Sequence, residues 1–150
     1  MQLKVKRLTD TAVLPVKAHQ SDAGLDICAD EDLVINAGET VTVSTGLSIA
    51  ITEGYYGRLK GRSGLTSKTA LRVQEGTIDS DYRGEIKVIC DVRDAMLSGD
   101  VWNDEYYLEI TKGAKIAQLI IQPLPTVTVV EVDELDDTDR GDGGFGSTGV

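Results

Sequence analysis

The sequence GTIDSDYRGEIKVICDV, residues Gly76–Val92, joins a polar turn to an alternating strand. The apolar residues of its second half alternate with polar ones: Ile86, Val88, Cys90 and Val92. This period of two is typical of a half-buried β-strand. In the first half, a glycine and a β-branched pair lead into Asp79, and an aromatic ring follows at Tyr82. We therefore predict a β-hairpin over Gly76–Glu85 that presents a carboxylate and a ring on its rim.

The same alternation recurs along the chain and predicts an all-β fold. Further alternating segments lie at Leu3–Val5, Val41–Val43, Leu47–Ile51, Tyr106–Ile110 and, as a final strand, Thr126–Val132. Turn signals separate them at roughly 8–12-residue spacing, which is typical of a β-sandwich or barrel. Only Gly64–Leu71 has a helical pattern, for about two turns. The polar segment Ala95–Gly99 is predicted as a loop between strands.

Composition and charge exclude several classes of protein. The 150 residues are 41% hydrophobic and 27% charged, which fits one soluble domain with a genuine core. The apolar runs are too short to span a membrane, and the amino terminus lacks the apolar core of a signal peptide, so a cytoplasmic location is expected. A net charge of −10 argues against nucleic acid as a partner. A small anion remains compatible, because a few arginines can form a local positive pocket.

Cysteine and histidine usage argues against two further kinds of site. Cys28 and Cys90 lack metal-ligand spacing, and His19 is the only histidine. A zinc site and a histidine-based catalytic triad are therefore nearly excluded. We expect both cysteines to be reduced and structural.

The chain divides into a β-domain over residues 1–139 and a glycine-rich arm over residues 140–150. Six acidic residues over Glu131–Asp139 precede the arm, and such a polar segment cannot form a core of its own. A disordered solubilising tail is one interpretation. We favour a flexible arm that closes over an aromatic anion, because Arg140 and Phe145 supply a cation and a ring.

The chain contains five short stretches marked by glycine or arginine. They are DAGLD at 22–26, GRSGLTSK at 61–68, GTIDSDYRGE at 76–85, GAKIAQL at 113–119 and RGDGGFGST at 140–148. In this order and spacing they resemble the five motifs of the homotrimeric dUTP diphosphatases (dUTPases). The resemblance implies a jelly-roll-like β-barrel subunit with one short helix and a flexible C-terminal arm. It also implies a C3 homotrimer with active sites between subunits, and Mg²⁺-assisted hydrolysis of dUTP to dUMP and diphosphate.

Two residues match the family's catalytic positions. From the residues alone, Asp79 could be a turn-capping residue, and Gln118 could be a structural amide within a strand. The resemblance makes Asp79 the base that deprotonates the water attacking the α-phosphorus, and it places Gln118 near that water and the α-phosphate. In the same motif, Ala114 and Lys115 replace the Asp and Arg that are common in the family, which puts a salt bridge from this turn in question.

The nucleoside would be recognised at the Gly76–Glu85 segment. The resemblance places Tyr82 flat against the deoxyribose, where it leaves no room for a 2′-hydroxyl group. The backbone at Gly76, Thr77 and Ile78 would read the uracil edge, because mismatched donors on cytosine would leave buried groups unpaired.

The phosphate chain would be held by the second motif and the arm. Arg62, Ser63 and Gly64 form a helix start that suits an anion, with Ser63 predicted as the N-cap. The resemblance assigns these residues to the phosphates, Phe145 to stacking on the uracil ring and Arg140 to the γ-phosphate. Ser147 and Thr148 would add hydroxyl contacts, and Gly146 belongs to the same substrate-binding segment.

Magnesium is expected because two arginines do not balance the charge of a triphosphate. No dedicated carboxylate cage is evident, so the ion would be held by the substrate and water. The resemblance places Asp26 beside the phosphate-binding arginine and this ion, although a plain turn or strand-end aspartate is nearly as good an interpretation.

Two alternative functions differ in class. The dCTP deaminases share the implied fold, but the carboxylate–tyrosine turn and the Phe145 arm fit hydrolysis better. A regulatory protein could instead retain the nucleotide pocket and dock a partner through the segment Asp91–Glu105, which makes the span from Asp79 to Gln118 longer than in compact cellular enzymes of the family. The other interpretation of this segment is a tolerated surface insertion, and we prefer it. As an enzyme, the chain would keep uracil out of DNA and supply dUMP for dTMP synthesis.

Overall fold

The computed structural model describes residues 1–93, 96–97, 101–102 and 107–144. This part of the chain is all-β with one short helix, as predicted. The strands are β1 (Lys4–Arg7), β2 (Leu25–Cys28), β3 (Leu33–Asn36), β4 (Thr40–Ser44), β5 (Leu47–Ala50), β6 (Tyr55–Gly61), β7 (Leu71–Val73), β8 (Gly76–Ile78), β9 (Lys87–Val92), β10 (Met96–Leu97), β11 (Val101–Trp102), β12 (Tyr107–Ile110) and β13 (Lys115–Pro123). Helix α1 spans Ser63–Lys68, and within the described residues no helix is long and apolar enough to cross a membrane.

The strands form two main antiparallel sheets and three strand pairs. One main sheet has the order β2-β13-β6-β8 and the other has the order β4-β9-β7. The pairs are β1-β5, β3-β12 and β10-β11. The described strands do not close into a single barrel, but their arrangement is of the jelly-roll-like class that was predicted.

The core lies where the alternating pattern predicts it. The four apolar residues of the opening segment are all buried: Ile86, Val88, Cys90 and Val92. Cys28 and Cys90 are buried free thiols, which confirms the prediction of structural cysteines. Burial raises the pKa of the Cys90 thiol to about 11, so this residue remains protonated at neutral pH.

Strands β6 and β13 form the centre of the larger sheet and carry the residues that matter for function. Their register pairs Gln118 with Lys60 and Ala117 with Gly61. On the other side of β6, Gly57 pairs with Ile78 of β8.

The predicted β-hairpin over Gly76–Glu85 is wrong. Strand β8 pairs with β6, whereas β9 pairs with β4 and β7, so the segment between them crosses from one sheet to the other. A turn in which the Tyr82 amide donates to the Asp79 carbonyl at 3.2 Å begins this crossing. The carboxylate and the ring are therefore displayed on a connection between sheets. Sequence alternation identifies strands but does not say which strands pair.

Three other local predictions need correction. The helix begins at Ser63 and ends at Lys68, and Leu71 already belongs to β7. Part of the predicted loop Ala95–Gly99 forms β10, which pairs with β11. The segment Thr126–Val132 is not a strand but an exposed stretch, with Val129 91% exposed. Alternating valines favour a strand, yet a strand needs a partner, and the described part of the chain offers this segment none.

Candidate active site

A cavity of about 300 Å³ lies at the carboxyl end of β6, where that strand turns into α1. Its lining includes residues from three of the five sequence motifs: Asp26, Arg62, Ser63, Gly64 and Gln118. The fold brings them together because β13 lies between β2 and β6 and pairs Gln118 with both Asp26 and Lys60. We call this the phosphate-side cavity.

Asp26 is the electrostatic centre of the phosphate-side cavity. Its side chain is only 13% exposed and forms two ion pairs, with Arg62 Nε at 3.0 Å and Lys115 Nζ at 2.8 Å. Burial alone would raise the pKa of the Asp26 carboxyl group, but the hydrogen bonds and charges of Lys115 and Arg62 outweigh it and hold the pKa below its ordinary value. Two cations on one carboxylate give this cluster of three side chains a net positive charge, which suits an anionic ligand. Asp22 adds a second carboxylate to the cavity lining, and its Oδ2 accepts a hydrogen bond from the His19 amide at 2.8 Å.

Arg62 is held in place by a second contact. Its Nη1 group donates to the Lys115 carbonyl oxygen at 3.3 Å, while Nε faces Asp26. A guanidinium group has five N–H donors in a rigid fork, so donors remain for a phosphate oxygen.

Lys115 forms an ion pair that the sequence pattern had put in question. Its departure from the common family residue put a salt bridge from that turn in question, and the structure shows that the salt bridge forms with Asp26. A lysine side chain is long enough to replace arginine in this single contact, although it lacks the bidentate fork. The register pairing of Lys115 with Cys28, two residues after Asp26, could not be read from the sequence.

The prediction that Ser63 caps the helix is wrong. Arg62 occupies the N-cap position in an extended conformation, with no hydrogen bond from its side chain to the helix, and Ser63 is the first helical residue. The Ser63 side chain is exposed and lines the phosphate-side cavity. A ligand in the cavity could therefore reach this side chain.

Gln118 has a defined orientation. Its Nε2 group donates a 2.9 Å hydrogen bond to the carbonyl oxygen of Gly61. The side chain lies across the α-carbon of Gly24, where an added Cβ would come within 2.5 Å of Gln118 Oε1.

A second cavity, of about 550 Å³, holds the other half of the predicted site. Its lining includes the residues predicted to read the uracil edge and to contact the sugar, Gly76, Thr77, Ile78 and Tyr82, together with the predicted base Asp79. The Tyr82 ring is 47% exposed, and its hydroxyl group donates to the Glu85 carbonyl oxygen at 3.0 Å. Apolar residues such as Leu59 and Ile86 form part of the wall. We call this the nucleoside-side cavity.

The two cavities are far apart within one chain. Strands β6 and β8 are antiparallel, and Gly57 lies opposite Ile78, so Asp79 lies opposite Tyr56. Tyr56 precedes Arg62 by six residues along the chain. At about 3.3 Å per residue, Asp79 and Arg62 are separated by about 20 Å. Gln118 lies on the opposite side of β6 from β8, and its amide group is directed toward Gly61, away from Asp79.

The arm is described only as far as Gly144. Arg140 is exposed, and its Nε group donates to the Gly143 carbonyl oxygen at 2.8 Å within the arm. The predicted contacts of Phe145, Gly146, Ser147 and Thr148 lie outside the described residues. Among the described residues, no three or more His, Cys, Asp or Glu side chains are grouped so that they could hold a metal ion.

The fold and the two cavities together define a class of protein. It is an all-β protein with one pocket in which Arg62 and the Ser63 side chain could meet a phosphate chain and a separate pocket with a carboxylate and an aromatic ring. A family model described as dUTPase matches residues 10–149. The chain belongs to the dUTPase family.

Named relatives and solved structures that are similar to this chain also belong to the dUTPase family. The chain is 46% identical over 148 residues to the deoxyuridine 5′-triphosphate nucleotidohydrolase of Paramecium bursaria Chlorella virus 1, covering 99% of this chain and 98% of that protein. It is 41% identical over 149 residues to that of Clostridium tetani, with 98% and 96% covered. A mutant dUTPase of Staphylococcus bacteriophage 80alpha, solved with dUpNHpp, superposes with a TM-score of 0.89 at 33% identity, with 99% of each chain covered.

Proposed function

We propose that the protein hydrolyses dUTP to dUMP and diphosphate at sites shared between copies of the chain. Family membership supports the substrate, since the relatives at 41% and 46% identity are named deoxyuridine 5′-triphosphate nucleotidohydrolases. The observation that carries the proposal is the division of the motif residues between the phosphate-side cavity, which contains Arg62 and Gln118, and the nucleoside-side cavity, which contains Asp79 and Tyr82. The first suits a phosphate chain and the second suits a deoxynucleoside.

The reaction needs a base beside the α-phosphorus and cations around the phosphate chain. Asp79 is exposed on its turn and can accept a proton from a bound water. The water oxygen then forms a bond to the α-phosphorus, and the bond from that phosphorus to the oxygen bridging to the β-phosphate breaks, so that diphosphate leaves. Arg62 carries positive charge to the phosphate oxygens, and Gln118 orients the water or the α-phosphate through its amide group.

Magnesium fits this site as an ion brought in with the substrate. The buried carboxylate of the phosphate-side cavity, Asp26, is already paired with Arg62 and Lys115. Mg²⁺ would therefore be held by phosphate oxygens and water near Asp26, and when bound it would neutralise charge on the phosphate chain. A solved mutant dUTPase from phage phi11 of S. aureus coordinates a structural Mg(II) ion.

A site shared between subunits follows from the separation within one chain. A general base must lie within about 3 Å of the water that it deprotonates, but Asp79 is about 20 Å from Arg62 on the same β-sheet. A second copy that brings its nucleoside-side cavity against the phosphate-side cavity of the first resolves this distance. We propose that three copies do so around a threefold axis, which gives three equivalent sites.

The carboxy-terminal segment supports the same assembly. Val127 and Val129 are 78% and 91% exposed, and such apolar residues gain free energy when a partner covers them. We propose that residues 1–139 form the β-domain and that residues 140–150 cross to another subunit as an arm. There Phe145 and Gly146 would contact the uracil ring, and Arg140, Ser147 and Thr148 would contact the phosphates. In the cytoplasm this activity would keep uracil out of DNA and supply dUMP.

The test is diphosphate release from dUTP with Mg²⁺, compared with dCTP, dTTP and UTP. We expect turnover of dUTP alone. Asp79→Asn should lose activity by a factor of about 10³ while retaining binding of dUTP, since only the base is removed. Ammonia release from dCTP would instead identify a deaminase, and nucleotide binding without turnover of any substrate would overturn the hydrolase proposal.

A second candidate function concerns the segment Asp91–Glu105. Strands β10 and β11 form an antiparallel pair within it, and one solved structure of the phage phi11 dUTPase is described as visualising a species-specific insert. Phage dUTPases, among them that of Staphylococcus bacteriophage 80alpha, control transfer of virulence genes by a proto-oncogenic G protein-like mechanism. We propose that this segment docks a protein in a nucleotide-dependent manner. Deleting Met96–Asn103 should abolish such binding and leave dUTP hydrolysis intact; binding that survives the deletion would refute the docking role.

A further inference from the structure

The Gln118 side chain contacts the backbone at two places, the Gly61 carbonyl oxygen and Gly24. Its neighbours Ala117 and Leu119 are fully buried on the core face of β13, so the glutamine side chain projects to the opposite face and lines the phosphate-side cavity. The 2.9 Å hydrogen bond from Nε2 to the Gly61 carbonyl oxygen determines the orientation of the side-chain amide, with Nε2 and not Oε1 facing Gly61. A reversed amide would place Oε1 against another carbonyl oxygen, with no donor between them.

Gly24 supplies the second side of this support. A Cβ at Gly24 would lie 2.5 Å from Gln118 Oε1, 3.1 Å from its Cβ and 3.3 Å from its Cδ. The whole side chain thus lies against the Gly24 α-carbon. Gly24 is not among the glycines with positive φ, so its backbone conformation is open to other residues. What the position requires is the absence of a side chain.

We propose that Gly24 is a positioning residue for Gln118. The empty space at its α-carbon lets the amide group lie flat, with one N–H on the Gly61 carbonyl oxygen, so that the other N–H and Oε1 are presented to the reacting groups in a fixed direction. This inference deepens the proposed function, because it states how the amide assigned to the attacking water and the α-phosphate is held in place.

Gly24→Ala is the informative substitution. The new methyl group must displace Oε1 by about 1 Å to reach an ordinary contact distance, and the end of a glutamine side chain can move that far without disturbing the core. The bond to Gly61 would be lost, while the fold and the cavity cations would remain. Since a misplacement of about 1 Å can cost about 10²-fold in rate, we expect kcat for dUTP to fall by about 10- to 100-fold. KM should stay within about threefold. The melting temperature should fall only slightly, because the methyl group also comes within 3.1 Å of Gln118 Cβ, which must shift by a few tenths of an ångström.

A double-mutant cycle separates this role from a general packing effect. Gly24→Ala should reduce kcat in the native background but should change it by less than about threefold in a Gln118→Ala background. Unchanged kcat in Gly24→Ala would overturn the proposal. So would losses that multiply fully in the double variant, because Gly24 would then act independently of Gln118.

A second readout does not depend on catalysis. The side-chain amide signal of Gln118, identified by its absence from the spectrum of Gln118→Glu, should show slowed hydrogen exchange in the native protein. In Gly24→Ala the same signal should exchange faster and shift. Exchange as fast as that of an exposed glutamine in the native protein would refute the fixed orientation, even if dUTP proved not to be the substrate.

Discussion

The hydroxyl group of Tyr82 donates a 3.0 Å hydrogen bond to the carbonyl oxygen of Glu85, and the ring consequently lies over the α-carbon of Gly84. A Cβ at Gly84 would lie 2.5 Å from the Cζ atom of Tyr82. The direction of an exposed aromatic ring is thus set by the chain that immediately follows it. If Tyr82 excludes ribonucleotides by its position, Gly84 is a determinant of that selectivity.

Gly84→Ala should therefore weaken the discrimination between dUTP and UTP. The added methyl group would push the ring off its bond to Glu85, and we expect the ratio of kcat/KM values for the two substrates to fall by about tenfold. Steady-state diphosphate release with each nucleotide measures the ratio.

Tyr82→Phe is the matched control for the Gly84 substitution. It retains the ring and the space at Gly84 but removes the hydrogen bond, so it should lose less selectivity than Gly84→Ala. Native selectivity in Gly84→Ala would show that the position of the ring does not exclude the ribose.

Lys115→Met should reduce stability in a pH-dependent way. The pKa of Asp26 is held below its ordinary value, so its ion pairs stabilise the native state above about pH 4. That contribution is lost as the pH falls through the lowered value and the carboxylate becomes protonated. We expect Lys115→Met to lower the free energy of unfolding by about 1 kcal/mol at pH 7, because Arg62 still pairs with Asp26. At pH 2 the difference should be smaller, because part or all of the carboxylate is then protonated.

Urea denaturation at fixed protein concentration and at both pH values checks the Lys115 prediction. Lys60→Met is the control, because the ion pair of Lys60 with Glu75, at 3.4 Å, has two half-exposed partners. It should cost less than about 0.5 kcal/mol. A loss for Lys115→Met that is equal at both pH values would mean that packing, and not charge, explains its effect.

Val129→Ser should weaken assembly of the chain. If another copy covers this residue, replacing its apolar side chain should cost about 1–2 kcal/mol per buried side chain. Sedimentation equilibrium should then show dissociation at a higher protein concentration than for the native chain. Thr128→Ser serves as the control at the neighbouring position. An unchanged assembly would mean that the exposed valines are not at an interface.

The sequence predicted those features that depend on residues close together in the chain. The buried face of β9 follows from Ile86, Val88 and Cys90 alone, because alternation is a local property of a strand. The glycine- and arginine-marked motifs also contain residues that the fold brings together, since Arg62 and Gln118 line one cavity.

The remaining features depend on strand pairing, which local patterns do not encode. The crossing of the Asp79–Tyr82 turn between two sheets follows from the partners of β8 and β9. The ion pair of Lys115 with Asp26 follows from the register of β13 against β2. The contact between Gly24 and the Gln118 side chain follows from the same register. In the sequence, only the presence of a glycine at position 24 pointed to it.

The most direct test of the account is complementation between two inactive chains. Asp79→Asn and Arg62→Gln would each be purified as inactive protein, then unfolded, mixed in equal amounts and refolded. If each site takes Asp79 from one copy and Arg62 from another, about a quarter of the sites in randomly mixed assemblies contain both native residues. We predict recovery of about a quarter of native dUTP hydrolysis. Failure to recover activity in assemblies shown by mass spectrometry to be mixed would contradict a site shared between chains.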